Sequence, residues 1–268
     1  MDLHLDGKIA LVTGSTAGIG LEISKRLAAE GALVTIVGRS QAKLDEAAAT
    51  VAAEAPSGAV QSGVHAILAD LATAEGAATV ARELPDVDIL VNNLGIYESK
   101  AFADISDDDW RRFFEVNVLS GARLARQYFP GMLARDWGRI IFVASESALM
   151  VPPDMIHYAM TKTAQLAISR GLAGLTKGTR VTVNSVLPGT TRSEGIADFL
   201  TSVASNPSAP AAEIEAEFFA RDRPTSLIQR MIEPEEIASL VAYVASPLAA
   251  ATNGAALRVD GGITPTIA

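Results

Sequence analysis

The sequence predicts a doubly wound α/β fold, a parallel sheet of about seven strands with helices on both faces. The main observation is an alternation, sustained along most of the chain, of short apolar β-branched runs with longer amphipathic segments. Strands that read as unbroken apolar runs are those covered on both sides, as parallel strands are. A second observation is length. At 268 residues the chain can bury a substantial core, and no internal repeat or low-complexity linker divides it, so we read residues 1–268 as one domain.

The elements follow in order. "KIALVTG" (8–14) reads as a buried strand and 18–30 as a helix. "ALVTIVG" (32–38) is a second strand, with a helix over 41–53. "GVHAILAD" (63–70), "DVDILVNN" (86–93), "GRIIFVAS" (138–145), "RVTVNSVLPG" (180–189) and "AALRVDGG" (255–262) supply the remaining strands. Helical patterns separate them at 73–84, 107–134, 157–177 and 234–246. The stretch "EAPSGAVQSG" (54–63) reads as a short loop. From about 190 to 231 the alternation lapses into polar, proline-containing sequence with short amphipathic pieces. Loops of that length in compact domains are usually functional, and we read this one as a lid over a substrate site.

Composition narrows the function. A net charge of −9 argues against nucleic-acid partners and anionic membrane surfaces, both of which call for a basic face. With no cysteine, disulfides, thiolate nucleophiles and cysteine-ligated metals are excluded. The three histidines, His4, His65 and His157, are scattered without ligand spacing, so each is read as structural or solvent-facing and no metal site is expected. The opening "MDLHLDGKIALVTG" has no charged-then-apolar leader, and no apolar run approaches the roughly 18–20 residues of a membrane span. The expected location is the cytoplasm.

"LVTGSTAGIG" (11–20) sets Gly14, Gly18 and Gly20 between a strand and a helix. Glycines let the backbone turn tightly and approach a pyrophosphate, while the helix N-terminus offers free N–H groups and a positive dipole end. A lone glycine triplet is a weak signal, but this one sits at the first strand–helix junction, where dinucleotide binding needs it. Tyr158 and Lys162, in "HYAMTK", are four residues apart and so share one helical face. Alone, that pair has a plainer reading as a surface coincidence.

Together these stretches resemble the short-chain dehydrogenase/reductase family, in a branch like the 3-oxoacyl carrier-protein reductases. Thr13-Gly14-x-x-x-Gly18-x-Gly20 is similar to its cofactor motif. "VNNLG" (91–95) resembles its Asn-Asn-Ala-Gly, with Leu94 in place of alanine. Ser145, Tyr158 and Lys162 keep its Ser…Tyr-x-x-x-Lys spacing, "FFEVNVLSG" supplies Asn117, and "VLPGTTRS" supplies the Pro-Gly pair that closes over a nicotinamide. The C-terminal "PEEIASLVAYVASPLAAATNGAALRVDGG" resembles the family's last helix and strand. The match runs from about 8 to 262. Taken singly, Gly95 ends a strand, Asn117 caps a helix and Ser145 is a polar strand end; in register they read otherwise.

The resemblance implies a Rossmann fold and hydride transfer between a nicotinamide and a carbonyl or secondary alcohol. It makes Tyr158 the general acid/base. A free tyrosine titrates at about 10, so work near neutrality asks for roughly 4 kcal/mol. An ammonium about 4 Å away supplies on the order of 4 kcal/mol at an effective dielectric of about 20, so Lys162 is expected to lower the phenol's pKa. Lys162 would also hold the nicotinamide ribose. Ser145 would donate to the substrate oxygen, and Asn117 would anchor a water leading to Lys162. Ser120 stands where the family has a glycine, with Gly121 next, a local shift. Ser147 competes with Ser145, but the spacing of thirteen residues to Tyr158 selects Ser145. Glu146 faces either substrate or solvent.

The same resemblance implies that Gly14, Ser15, Thr16, Gly18, Ile19 and Gly20 cradle the cofactor phosphates. Asp70 and Leu71 would cover the adenine, Pro188 and Gly189 would close over the nicotinamide, and Asn93, Gly95 and Thr191 would also bind the cofactor. After the second strand the chain carries Gly38-Arg39-Ser40 with no carboxylate. A carboxylate there would hold a ribose 2′-hydroxyl, whereas Arg39 can grip a 2′-phosphate with two charge-assisted hydrogen bonds. NADP(H) is therefore favoured, with Ser40 beside the phosphate. Ala17 stands where many NADP-dependent relatives have a basic residue, so NAD(H) stays open.

For substrate, the expected lid mixes Phe199, Phe218 and Phe219, read as core, with Arg192, Arg221, Arg223 and Arg230, read as balancing Glu213, Glu215 and Glu217. Asp136 replaces the arginine that carrier-protein-dependent reductases use before the fifth strand. The alternative from another class is a non-catalytic NADP(H)-binding sensor, although such relatives usually lose the Tyr or the Lys. A homotetramer is expected from apolar residues on more than one face of 107–134 and 157–177, including Phe113, Phe114, Leu124, Leu166 and Leu172.

Overall fold

In the computed structural model, which describes residues 1–56, 64–193 and 196–267, all seven predicted strands form one parallel sheet. They are β1 (Ile9–Val12), β2 (Leu33–Gly38), β3 (His65–Leu68), β4 (Ile89–Asn92), β5 (Gly138–Val143), β6 (Val181–Pro188) and β7 (Ala256–Val259), in the order β3-β2-β1-β4-β5-β6-β7. The helices are α1 (Gly18–Ala29), α2 (Gln41–Ala52), α3 (Ala74–Glu83), α4 (Asp107–Phe114), α5 (Ser120–Ala134), α6 (Ile156–Gly174), α7 (Ile196–Val203), α8 (Ala211–Asp222) and α9 (Pro234–Ala245). The expected loop over 54–63 lies mostly outside the described residues.

Alternate strand residues point to opposite faces, and the core divides accordingly. Ala10 and Val12 of β1 pack with Ile23 and Leu27 of α1, Leu44 of α2 and Ile237 and Val241 of α9. Leu11, between them in sequence, joins Val80 of α3 and Leu124, Tyr128 and Met132 of α5 on the other side. The strand order reverses between β1 and β4. In doubly wound sheets the crevice at the C-terminal ends of the strands on either side of such a reversal is where ligands bind.

Three expectations change. The single helix read over 107–134 is interrupted by a π-helical turn, Glu115–Leu119, between α4 and α5; one wide turn re-aims the chain without ending the helix, a device found mostly at functional sites. The 190–231 segment contains two helices, α7 and α8, whose small core of Leu200, Ile214, Phe218, Phe219 and Met231 is separate from the main ones. Phe199, read as core, is 45% exposed. Three of the four arginines pair with acids, Glu215 and Glu217 among them as expected: Arg192 with Glu215 and Glu233, Arg221 with Glu217 and Asp222, and Arg230 with Glu236. Arg223 stands 5.3 Å from the centre of the Phe218 ring. Finally, Phe113 and Leu124 are buried inside the protein, leaving Phe114, at 39% exposed, as the clearest outward apolar residue of the five named for assembly.

Candidate active site

The loop joining β1 to α1 is shaped by its glycines. Gly14 and Gly18 have φ of +61° and +54°, the left-handed region that side chains avoid. A Cβ on Gly20 would lie 2.2 Å from the Gly14 carbonyl oxygen, so the helix can approach the turn only without a side chain there. Asn93, just past β4, locks the loop: its Nδ2 donates to the carbonyls of Thr13 at 3.0 Å and Gly14 at 3.1 Å. Thr13 Oγ1 accepts in return from the Asn93 and Leu94 N–H groups, both at 2.9 Å. Thr13 thus joins the two loops, a role that its place in the glycine motif does not signal.

These residues fit a dinucleotide. Helix α1 starts with no side-chain cap on Ala17 and no acid in its first turn, so its N–H groups and dipole are free for an anion. Open space stands over Gly18, where an added Cβ would meet nothing within 4 Å. Not every expected contact uses a side chain. Ser15 Oγ is buried and accepts from Val37 N–H at 2.9 Å, tying the loop to β2; the side chain of Ile19 packs on the core. The side chain of Leu71 is buried in the opposite core, so only its backbone can face an adenine. Thr16 stays partly exposed, its methyl against Gly38.

At the end of β2 the Arg39 side chain is 77% exposed, with Nη1 4.0 Å from the Asp70 carboxylate, and Ser40 begins α2 with its hydroxyl uncommitted to the helix cap. At the other end of the crevice β6 stops at Pro188. Gly189 follows with no room for a Cβ, which would lie 2.7 Å from the Asp260 carbonyl oxygen. Thr191 donates its hydroxyl to the Gly189 carbonyl at 2.8 Å, fixing the Pro-Gly turn.

Between these ends the four residues assigned to chemistry converge. Asn117, buried in the π turn, is clasped by Ile96: its Oδ1 accepts from Ile96 N–H at 2.8 Å and its Nδ2 donates to the Ile96 carbonyl at 3.0 Å. It also donates to Thr161 Oγ1 at 2.9 Å, which joins it to α6. The Asn117 main-chain carbonyl accepts from Gln165 Nε2 at 2.5 Å; this partner, three residues beyond Lys162, was missed, although an amide on the lysine's own helical face was the available signal. Gly121, next to Ser120, packs closely on β5 and β4: a Cβ there would lie 3.0 Å from Phe142 Cε1 and 3.2 Å from Asn92 Cγ.

Lys162 is buried and donates to the Val143 carbonyl at 2.9 Å, with Gly95 packed against its ammonium. Tyr158, half-buried, stands with its ring centroid 5.7 Å from Lys162 Nζ. The expected depression of its pKa by Lys162 is not found. Burial pushes the phenol well above its ordinary range, with the Ser145 hydroxyl pulling the other way and Glu146 and Tyr97 adding to the rise. Burial also pushes Lys162 down to about 8, against an upward pull from Glu146. Both groups share one desolvated pocket in which either charge is disfavoured, and the ammonium is turned toward a carbonyl rather than the phenol.

Ser145 Oγ accepts from Ser147 N–H at 3.1 Å and donates to Glu146 Oε2 at 2.5 Å. Glu146, left between substrate and solvent by the sequence, is only 9% exposed, and Ser147 serves through its backbone. His157, read as structural or solvent-facing, is fully buried, its ring centroid 4.1 Å from that of Phe113. No group of three or more acids and histidines able to hold a metal lies among the described residues, and no helix among them is long and apolar enough to cross a membrane.

A glycine loop at the switch point of a doubly wound sheet is the arrangement of a dinucleotide-binding protein, and Ser145, Tyr158, Lys162 and Asn117 lie beside it. The family model described as short chain dehydrogenase matches residues 8–202, and the chain belongs to that family. It is 49% identical over 267 residues to the uncharacterized oxidoreductase YvaG of Bacillus subtilis, covering 100% of both chains. It is 31% identical over 269 residues to a 3-oxoacyl-[acyl-carrier-protein] reductase of Aquifex aeolicus, covering 98% of this chain and 100% of the other. Among solved structures, the L-sorbose reductase of Gluconobacter frateurii, complexed with NADPH and L-sorbose, superposes with a TM-score of 0.89 at 30% identity over 100% of both chains.

Proposed function

We propose that this protein is an NADP(H)-dependent oxidoreductase interconverting a carbonyl compound and a secondary alcohol. The observation that carries the reading is the convergence of Ser145, Tyr158, Lys162 and Asn117 beside the glycine loop. NADP(H), when bound, supplies or accepts the hydride. Tyr158 gives a proton to the carbonyl oxygen in reduction and takes it back in oxidation. Lys162 holds the ribose side of the crevice, its ammonium 5.7 Å from the centre of the Tyr158 ring. Arg39 and Ser40 receive the 2′-phosphate, and the backbone of the glycine loop the pyrophosphate. The solved relative in complex with NADPH supports the same cofactor.

We read the chain as a single domain whose 190–231 segment is a lid: its helices have their own small core, while Leu227 and Ile228 donate backbone N–H groups to the Gly261 carbonyl beside the Pro-Gly turn. Carrier-protein thioesters are the weaker substrate class, because Asp136 is ion-paired with Arg180. A cytoplasmic homotetramer is part of the proposal, to be checked by fractionation and light scattering. The functional test is NADPH fluorescence titration together with NADPH oxidation on a panel of ketones, ketoses and acyl thioesters. Tight binding with no turnover on the whole panel would support a cofactor sensor instead.

A further inference from the structure

Glu146 is a carboxyl group in a place that disfavours its charge. It stands in the short 3₁₀ turn that follows β5, directly after Ser145, and is 9% exposed. From α6, Tyr158 and Lys162 face it, and Arg223 faces it from the segment after α8. It forms no ion pair among the described residues. Burial raises its pKa above the usual carboxylate range, outweighing the opposite pulls of the Ser145 hydroxyl, Arg223 and the Ser147 and Glu146 N–H groups.

The hydrogen count at Ser145 makes this proton consequential. A serine hydroxyl has one hydrogen and two acceptor positions. Ser147 N–H, at 3.1 Å, fills one acceptor position of Ser145 Oγ. Across the 2.5 Å contact with Glu146 Oε2 only one hydrogen can lie. If Glu146 is ionised, that hydrogen is serine's own, and Ser145 has none left for a substrate oxygen. If Glu146 carries a proton, the carboxyl donates to the second acceptor position of Ser145. The serine hydrogen is then released toward the side of the pocket where the Tyr158 hydroxyl stands and a substrate oxygen would come between them.

Resting on the oxidoreductase reading above, we propose that Glu146 is a positioning residue that sets the direction of the Ser145 hydroxyl, so that Ser145 can donate to the substrate oxygen only while Glu146 is protonated. The sign follows: the donor is present below the pKa of Glu146 and is lost as pH rises through it.

The first test needs no turnover. Infrared titration of the protein should show one carboxyl C=O band that persists to higher pH than those of the exposed carboxyls. It should be absent in Glu146→Gln and moved in frequency in Ser145→Ala, because its hydrogen-bond partner is gone. The absence of such a late-titrating band, or a band indifferent to Ser145→Ala, overturns the proposal. The second uses NADPH with ethyl acetoacetate as probe ketone. Wild-type kcat/KM should fall on the alkaline side at the midpoint of the infrared band, toward a floor about 10²-fold lower, as expected for the loss of one alkoxide donor. Glu146→Gln, whose amide can donate at any pH, should flatten that limb. An unchanged limb would assign it to Tyr158 or Lys162 and sink the proposal. A chain that reduces no ketone refutes the oxidoreductase reading, while the infrared result still decides the Glu146–Ser145 arrangement.

Discussion

The side-chain amide of Gln165 joins two parts of the site: Nε2 donates to the Asn117 main-chain carbonyl at 2.5 Å, and Oε1 lies 3.5 Å from Lys162 Nζ. One buried residue on α6 thus holds the π turn and the lysine in a common frame. Gln165→Leu keeps the volume and removes both contacts, leaving a buried carbonyl without this partner. We expect a loss of about 1–3 kcal/mol in urea unfolding, the usual cost of an orphaned buried polar group. A loss below about 0.5 kcal/mol would show that the amide does not support the turn.

Tyr158→Phe removes the one group assigned to proton transfer and leaves the glycine loop, Arg39 and Lys162 in place. Turnover should fall by about 10²–10⁴-fold, with the Kd for NADPH by fluorescence changed less than about threefold. Retention of more than about a hundredth of wild-type kcat would move the acid/base role to another residue.

The proposed cofactor preference rests on Arg39, which is exposed and, among the described residues, ion-paired only with Asp70 at 4.0 Å. Charge-assisted bonds to a phosphate contribute roughly 1.5–3 kcal/mol, so Arg39→Ala should lower the ratio of kcat/KM for NADPH over NADH by about 10- to 150-fold. An acid at Gly38 is the less clean design, since a Cβ there would lie 2.7 Å from Thr16 Cγ2. Unchanged selectivity in Arg39→Ala would mean that the 2′-phosphate is held elsewhere.

Much of this arrangement was legible in the residues because its causes are local. All seven strands are short apolar runs, and Gly14, Gly18 and Gly20 are required by backbone geometry that few other residues tolerate. Helical spacing puts Tyr158 and Lys162 on one face, but their reading as a chemical pair comes only from the other motifs in register. What escaped depends on contacts distant in sequence. The burial of Glu146 depends on α6 and β6 packing against its turn, and the inward turn of Leu71 on the packing of α3 and α5. The Gln165–Asn117 bond spans 48 residues. The π turn escaped because one extra residue in a turn hardly disturbs a helical hydrophobic pattern.

Lys162 also places a testable strain on the fold. Burial lowers its pKa from 10.5 to about 8, so the unfolded chain holds this proton more tightly than the native state does. Below pH 8 the amine is charged in both states, and the full penalty is present. Between about pH 8 and 10.5 the native amine is neutral while the unfolded one is still charged, so this group's contribution to stability rises with pH there and levels off above. At about 1.4 kcal/mol per tenfold change in proton affinity, the penalty near neutrality is roughly 3 kcal/mol. Lys162→Met fills similar space without the charge, and losing the bond to the Val143 carbonyl offsets about 1 kcal/mol. The variant, though inactive, should therefore be more stable than wild type by about 2 kcal/mol at pH 7 in urea. That advantage should vanish or reverse by about pH 11, once the wild-type amine is largely neutral in both states. A variant less stable than wild type at pH 7, or a difference that does not change with pH, would show that the buried ammonium is better compensated than its single short bond to Val143 indicates.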